Sequence, residues 1–186
     1  MSEIEQLLTE IQATLLEGKT ILYPTDTIWG LGCDATNSQA IDHIYNIKKR
    51  PENKSFILLF SDIEMIKKYS EECTDDISYI EEARVPTTFI VDFKLNLPSI
   101  LSSETGTFAI RIPKNELCIQ IIKKLGRPIV STSANISGDV SPKKFHEISN
   151  TILNAVDFVI PEKYDNGTGK ASKIVKKIND QFIVIR

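Results

Sequence analysis

Four short segments of this 186-residue sequence gather more hydroxyl, amide and cationic side chains than ordinary turns require. The first is YPTDTIWGLGCDA, residues 23–35, which leaves the apolar pair Ile21 and Leu22 and sets Thr25, Asp26 and Thr27 beside Trp29. Its Gly30 and Gly32 suggest a phosphate cradle. A dinucleotide fingerprint needs a further Gly opening a helix, and a Walker loop needs Gly-Lys-Ser/Thr. Here Cys33, Asp34 and Ala35 follow instead. The glycines therefore read as tight-turn formers that present the hydroxyl cluster, or as part of a plain turn whose Thr and Asp satisfy backbone groups.

The second segment, KKRPENK (48–54), places Lys48, Lys49, Arg50 and Lys54 around Glu52. It fits a helix C-terminus with cations opposite the dipole. It fits equally a polyanion clamp, in which Arg forks match phosphate oxygens and Lys adds point charge. The third, STSANISG (131–138), offers Ser131, Thr132, Ser133 and Asn135. A serine nucleophile would need a base, yet His43 and His146 are the only histidines and no G-x-S-x-G elbow occurs. A hydrogen-bonding loop for a polar ligand and a capped polar turn both remain. The fourth comprises Ser172 and Arg186. Arg111 stands apart at the end of the apolar run FAIR, where an unpaired guanidinium is costly. It needs an anion, either a carboxylate of the protein or one of a ligand. Two isolated histidines and scattered cysteines offer no zinc spacing, and a nucleotide-borne magnesium would need few protein ligands.

Elements that could position these residues are legible in the hydrophobic period. Ile4, Leu7, Leu8, Ile11 and Leu15 predict a helix over 3–17, ended by Gly18. Thr20–Tyr23 reads as a buried strand, and the first segment, 24–35, as loop. Ser38 is expected to cap a second helix that stops near Pro51. Strands are predicted over 56–60, 87–93, 107–112, 127–131 and 156–160, and in SKIVKKI and QFIVIR near the C-terminus. Helices are predicted over 62–69, 75–84, 115–125 and 142–155. DNGTGK (165–170) reads as a flexible loop. Strand–helix alternation followed by paired strands implies an α/β domain with a mixed, twisted sheet. Ligands of such sheets sit beyond strand ends, where the loops at 24–35, 48–55, 131–142 and 165–173 would converge.

Composition sets broader bounds. A hydrophobic content of 41% and a charged content of 25% suit one globular domain with a substantial core. The net charge of −3 does not favour a nucleic-acid-coating protein. Cys33, Cys73 and Cys118 are odd in number and widely spaced, which predicts reduced, structural thiols and a cytoplasmic setting. The acidic, amphipathic start is unlike a signal peptide. No apolar run is long enough to span a membrane.

Together the segments resemble the short, single-domain YrdC family of L-threonylcarbamoyladenylate synthases. The family pattern runs P-T-[DE]-T-x-[YW]-G-L, K-x-R-P-x-x-[KN]-P, R-x-P, S-A-N-x-S-G, S-T-[IV] and a closing strand ending in Arg. This sequence carries PTDTIWGL at 24–31, KKRPENKS at 48–55, RIP at 111–113, SANISG at 133–138, SKI at 172–174 and VIR at 184–186. It departs at Lys173, where Thr is usual, at Ser55, where Pro is usual, and at Leu59, where longer two-domain members often carry a threonine-contacting His.

The resemblance implies a YrdC-like fold over 1–186: a twisted mixed parallel/antiparallel sheet with flanking helices and a ligand cleft, without the C-terminal domain of longer members. It implies that L-threonine, bicarbonate and ATP give threonylcarbamoyl-AMP and pyrophosphate, with ATP as substrate and Mg2+ bound to the nucleotide rather than by protein side chains. The product would serve a tRNA-modifying transferase partner acting beside the anticodon. Carried over by position, Thr27, Arg111, Ser131 and Ser172 would hold threonine, with Arg111 on its carboxylate. Arg50, Lys54, Thr107, Ser133, Asn135, Ser141 and Arg186 would hold ATP, and Lys48 and Arg50 would carry the catalytic charge. Selectivity also follows. A site that hydrogen-bonds a hydroxyl rejects its absence by about 10⁴–10⁵, whereas a methyl discriminates only about 10–200-fold. Such a pocket rejects valine better than serine. The competing reading is a non-catalytic double-stranded-RNA or ribosome-maturation module, using Lys48–Lys54 and the Lys pairs at 123–124, 143–144 and 176–177 for RNA contact. Carbamoyl transfer in hydrogenase maturation is a third, found in much larger chains.

Overall fold

The computed structural model describes residues 2–51, 55–70, 77–178 and 181–186. Helix α1 (Glu3–Leu16) opens on Ser2, whose hydroxyl accepts from the Glu5 amide while Glu5 reaches back to the Ser2 amide. Strand β1 (Ile21–Tyr23) follows, then β2 (Gly30–Gly32) and helix α2 (Ser38–Lys48). Next come β3 (Ile57–Leu59), α3 (Ile63–Tyr69), α4 (Ser78–Glu82), β4 (Thr87–Val91) and β5 (Phe108–Arg111). Helix α5 (Glu116–Leu125), β6 (Ile129–Ser133), α6 (Asn150–Leu153), β7 (Phe158–Val159), β8 (Lys173–Ile178) and β9 (Gln181–Val184) complete the order.

The strands form one mixed sheet in the order β7-β1-β2-β6-β3-β5-β4-β8-β9. Pairs β1–β7, β3–β5 and β4–β8 are parallel, and the others are antiparallel. Alternate residues serve opposite faces. Ile21, Tyr23, Leu59 and Ile129 pack under α1 and α5, on Leu7, Ile11, Leu15, Ile121 and Ile122. Leu22, Leu31, Leu58 and Val130 pack on the other face with α2, through Ile41, Ile44 and Tyr45. Both faces are covered, which explains why β1 and β3 read as continuous apolar runs. No helix of the described residues is long and apolar enough to cross a membrane.

Four expectations are corrected. Residues 30–32 are a central strand, not loop: Gly30 pairs with Tyr23 on β1 and with Ser133 on β6. A Cβ on Gly32 would lie 2.4 Å from the Val130 carbonyl oxygen and 2.9 Å from the Tyr23 ring, so Gly is required by close approach rather than by a turn. Asn37, not Ser38, caps α2, its side chain accepting from the Ala40 amide at 3.1 Å. The helix expected over 142–155 is two short pieces, a 3₁₀ turn at Phe145–Glu147 and α6, because Ser149 starts a new N-cap. Thr132 and Ser133 extend β6 rather than opening the loop after it. Residues 75–76 of the helix expected over 75–84 lie outside the described residues, as does Cys73.

Adding a methyl at Gly32 should be costly. Gly32→Ala should destabilise the protein by about 1–3 kcal/mol through overpacking against backbone and ring, read by denaturant unfolding. The buried thiols make a second test. Cys33 and Cys118 are fully buried, and burial raises both thiols well above their ordinary value of 9.0. Above pH 9 the unfolded chain ionises them while the folded chain keeps them protonated, so the folded state holds more protons and stability falls as pH rises. Relative to a Cys33→Ala/Cys118→Ala variant, the native chain should lose about 1.4 kcal/mol per pH unit per thiol, measured by urea unfolding from pH 8.5 upward.

Candidate functional site

Asp26 and Arg111 meet in the protein interior, where β5 ends beside the loop that follows β1. An Arg111 Nη–H donates to Asp26 Oδ1, and Asp26 Oδ2 accepts from the Lys114 amide at 3.1 Å. The second Arg111 Nη donates to Thr27 Oγ1 at 3.2 Å. The anion that Arg111 requires is thus a protein carboxylate. Its Nε–H is buried and has no hydrogen-bond partner among the described residues, and Arg111 lines the cleft.

Residues 165–169 brace this loop from behind. Trp29 Nε1–H donates to Asp165 Oδ2 at 3.0 Å, and the Gly169 amide donates to the Thr27 carbonyl at 2.8 Å. A Cβ on Gly167 would fall 2.7 Å from the Thr25 carbonyl oxygen and 2.9 Å from that of Thr27. The sequence reading of DNGTGK as a flexible loop is therefore replaced. Its glycines let the backbone press against the first segment, and its Asp orients the Trp.

A cleft of about 290 Å³ opens beside these groups. Its lining is rich in hydroxyls, with Thr25, Thr27, Ser131, Thr132 and Ser172. Ser172 is buried, its hydroxyl 2.8 Å from that of Thr88. Ser133 and Ser141 line the cleft too. Arg50, Arg111 and Arg186 supply guanidinium groups, and no Asp or Glu side chain belongs to the described lining. Asp26 pairs with Arg111. Arg186 is held at the cleft by pairing with β8: the Ile174 amide donates to the Arg186 carbonyl at 2.9 Å. Arg50 lies over the Phe56 ring and donates to the Ser55 carbonyl at 2.9 Å. Thus eight of the expected site residues border one cavity.

Three expected residues lie outside that lining. Lys48 is buried and turned inward, its Nζ donating to the Ser133 and Asn135 carbonyls at 2.6 Å each. Burial, with Arg50 nearby, lowers its pKa to about 8. Its own carbonyl accepts from the Ser137 amide at 2.8 Å, so Lys48 staples the loop after β6 to the end of α2. The chain then turns through Lys49, whose φ of 48° is left-handed, and this reversal sends Arg50 to the cleft. Asn135 uses its amide internally, donating to the Ile136 and Asp139 carbonyls at 2.9 Å each and accepting from the Ser133 hydroxyl. Thr107 closes a turn with Ser103, hydroxyl to hydroxyl at 2.8 Å. Lys54 lies outside the described residues. Leu59 faces the core under α5, away from any ligand. Thr25 and Thr132, named within their hydroxyl clusters, carry no ligand role in the sequence reading, yet both line the cleft. Their signal was clustering of hydroxyls, which does not say which of them faces the cavity.

A mixed α/β sheet with a cleft that hydroxyls and guanidinium groups line together defines a protein suited to holding a polar, anionic ligand. The chain belongs to the Sua5/YciO/YrdC family, whose profile, described as "Telomere recombination", matches residues 13–186. Curated relatives include a threonylcarbamoyl-AMP synthase of Idiomarina loihiensis, 28% identical over 87% of this chain and 88% of that protein. One of Saccharophagus degradans is 35% identical over 70% of each. Among solved structures, Escherichia coli YciO superposes with a TM-score of 0.78 at 24% identity, over 98% of this chain and 89% of its own. P. abyssi Sua5 complexed with L-threonine superposes with a TM-score of 0.83 at 24% identity, over all of this chain, which spans 55% of that one. These superpositions bear out the expected mixed sheet with flanking helices.

Removing the staple should loosen one loop. Lys48→Met leaves the Ser133 and Asn135 carbonyls without their buried donor, at a cost of about 1–3 kcal/mol. Amide exchange at Ser137 should accelerate selectively, measured by hydrogen–deuterium exchange, and unchanged exchange would remove this role from Lys48.

Proposed function

We propose that this protein is a threonylcarbamoyl-AMP synthase, forming L-threonylcarbamoyladenylate and pyrophosphate from L-threonine, bicarbonate or CO2, and ATP. The observation that carries the reading is one cleft lined by both hydroxyls and guanidinium groups, in a member of a family whose curated relatives bear that name. The amine of threonine takes up carbon dioxide to give an N-carboxylate. An oxygen of that carboxylate bonds to the α-phosphorus of ATP as the bond to the β-phosphate oxygen breaks, and pyrophosphate leaves with the electron pair. No protein nucleophile enters the sequence. What the protein supplies is alignment, worth up to about 7–11 kcal/mol in well-oriented reactions, and fixed positive charge where phosphate charge develops.

Arg50 and Arg186 are the groups suited to the phosphates, with Lys54 four residues beyond Arg50 and the Ser141 hydroxyl as a further donor, while Ser133, whose proton goes to Asn135 Oδ1, offers the nucleotide only an acceptor. Mg2+ arrives as the ATP complex. Thr27, Ser131 and Ser172 fit the amino acid. Arg111, held by Asp26, sets its charge beside the amino acid. Lys48 and Asn135 shape the loop that carries Ser133. The product is a mixed anhydride, and a transferase that passes its threonylcarbamoyl group to tRNA is the reaction that must consume it.

The assay is pyrophosphate release from purified protein. Release should require threonine and bicarbonate together, and release indifferent to threonine would reject the proposal. Arg50→Ala should lower turnover by about 10²–10³-fold, the loss typical of one charge-stabilising donor, with the melting temperature little changed. Salt-sensitive RNA binding without any ATP turnover would support the RNA-module reading instead.

A further inference from the structure

Thr27 lines the cleft, and its hydroxyl bonding is nearly complete before any ligand arrives. Thr25 Oγ1 lies 2.8 Å from Thr27 Oγ1, 3.0 Å from the Thr27 amide nitrogen and 2.8 Å from the Ile28 carbonyl oxygen. Thr27 Oγ1 also receives the Arg111 Nη–H at 3.2 Å. Both hydroxyls are buried, at 3% and 4% residue exposure. A hydroxyl has one proton and two lone pairs. The Ile28 carbonyl can only accept, so the single Thr25 proton goes there. The Thr27 amide can only donate, so it fills one Thr25 lone pair. The contact between the two hydroxyls then runs one way: Thr27 donates and Thr25 accepts.

We infer that Thr25 is a positioning residue that makes the Thr27 hydroxyl acceptor-only toward the substrate, so that the ligand atom meeting Thr27 must itself carry a hydrogen. With its proton committed to Thr25 and one lone pair committed to Arg111, Thr27 Oγ1 keeps a single lone pair for the cleft. A carboxylate oxygen cannot satisfy it, whereas a hydroxyl or an N–H can. This rests on the amino-acid reading of the cleft and adds a polarity to it. The amino acid enters with a donor on Thr27, and its carboxylate goes elsewhere. Thr25 touches no reacting atom. It acts by leaving its neighbour no freedom to rotate its hydroxyl.

The test compares Thr25→Val, which keeps shape but loses both lone pairs, with Thr25→Ser, which keeps them. Binding of L-threonine and of 2-aminobutyrate, which lacks the hydroxyl, is measured by calorimetry on the full chain. Thr25→Val should weaken threonine binding by about 10- to 100-fold while Thr25→Ser restores it, and the KM for ATP should not move. If the partner is the threonine hydroxyl, 2-aminobutyrate binds the native protein weakly and Thr25→Val leaves it there. If the partner is the amine, both ligands weaken together. A folded Thr25→Val protein that binds threonine as the native one does would overturn the inference. A measurement on the native protein decides the matter should that variant not fold. The Thr27 hydroxyl proton should exchange slowly and show a nuclear Overhauser contact to Thr25. A proton exchanging at solvent rates, without that contact, overturns it. Native protein that shows the contact yet fails to bind threonine would sink the amino-acid reading and leave the Thr25–Thr27 polarity standing.

Discussion

The buried pair of Asp26 and Arg111 is the constraint around which the site is arranged. Both residues are less than a tenth exposed, and a charge at such depth survives only with a partner and further hydrogen bonds. Each partner has them. Asp26 takes the Lys114 amide, and Arg111 reaches Thr27. The pair therefore ties the loop after β1 to the start of the α5 segment and to the end of β5, three pieces distant in sequence. Losing either member leaves the other charged and buried, a change that costs about 3–5 kcal/mol. Geometry at Thr27 is inherited from that pair, because its hydroxyl is held between Arg111 and Thr25.

Packing behind the loop reinforces this. Tyr23 lies across the two glycines of β2, and a Cβ at either would enter its ring or the neighbouring strand. Removing two side chains lets β1, β2 and β6 approach closely, so the hydroxyls of β6 lie beside those of the first loop. Gly167 repeats the device on the other side of the loop, against the Thr25 and Thr27 carbonyls. The apolar core sets the height of the sheet, but the glycines set how near the polar groups stand.

Much of the fold was legible because period and capping are local properties. Helices α1 and α5 and strands β1, β3, β4 and β5 follow directly from apolar spacing. Strand β2 was hidden, since Gly-Leu-Gly has little strand propensity and its place depends on partners on both sides. The 142–155 stretch carries a helical period, but Ser149 caps a fresh helix and the register breaks. Contacts between 165–169 and the first loop could not be read, because nothing in a six-residue turn sequence states what it lies against. The site was legible as a set of residues and not as a set of roles: Arg111 declared its need for an anion, but the sequence left open that Asp26, in the same hydroxyl cluster, would meet it.

Lys48 and Arg50 show where that limit comes from. They are two residues apart and alike in charge, and a reading by composition gives them one task. A left-handed turn at Lys49 separates them. One ammonium goes inward to two carbonyls and the next cation goes to the cavity. The same division runs through Ser133 and Asn135, of which the first lines the cleft and the second closes the loop beneath it. A short motif thus joins residues that touch a ligand with residues that hold them still. The backbone conformation between them, rather than residue type, decides which is which. In a site that works by alignment rather than by a protein nucleophile, the second group matters as much as the first, because displacement of a charged donor by an ångström removes its effect as surely as its deletion.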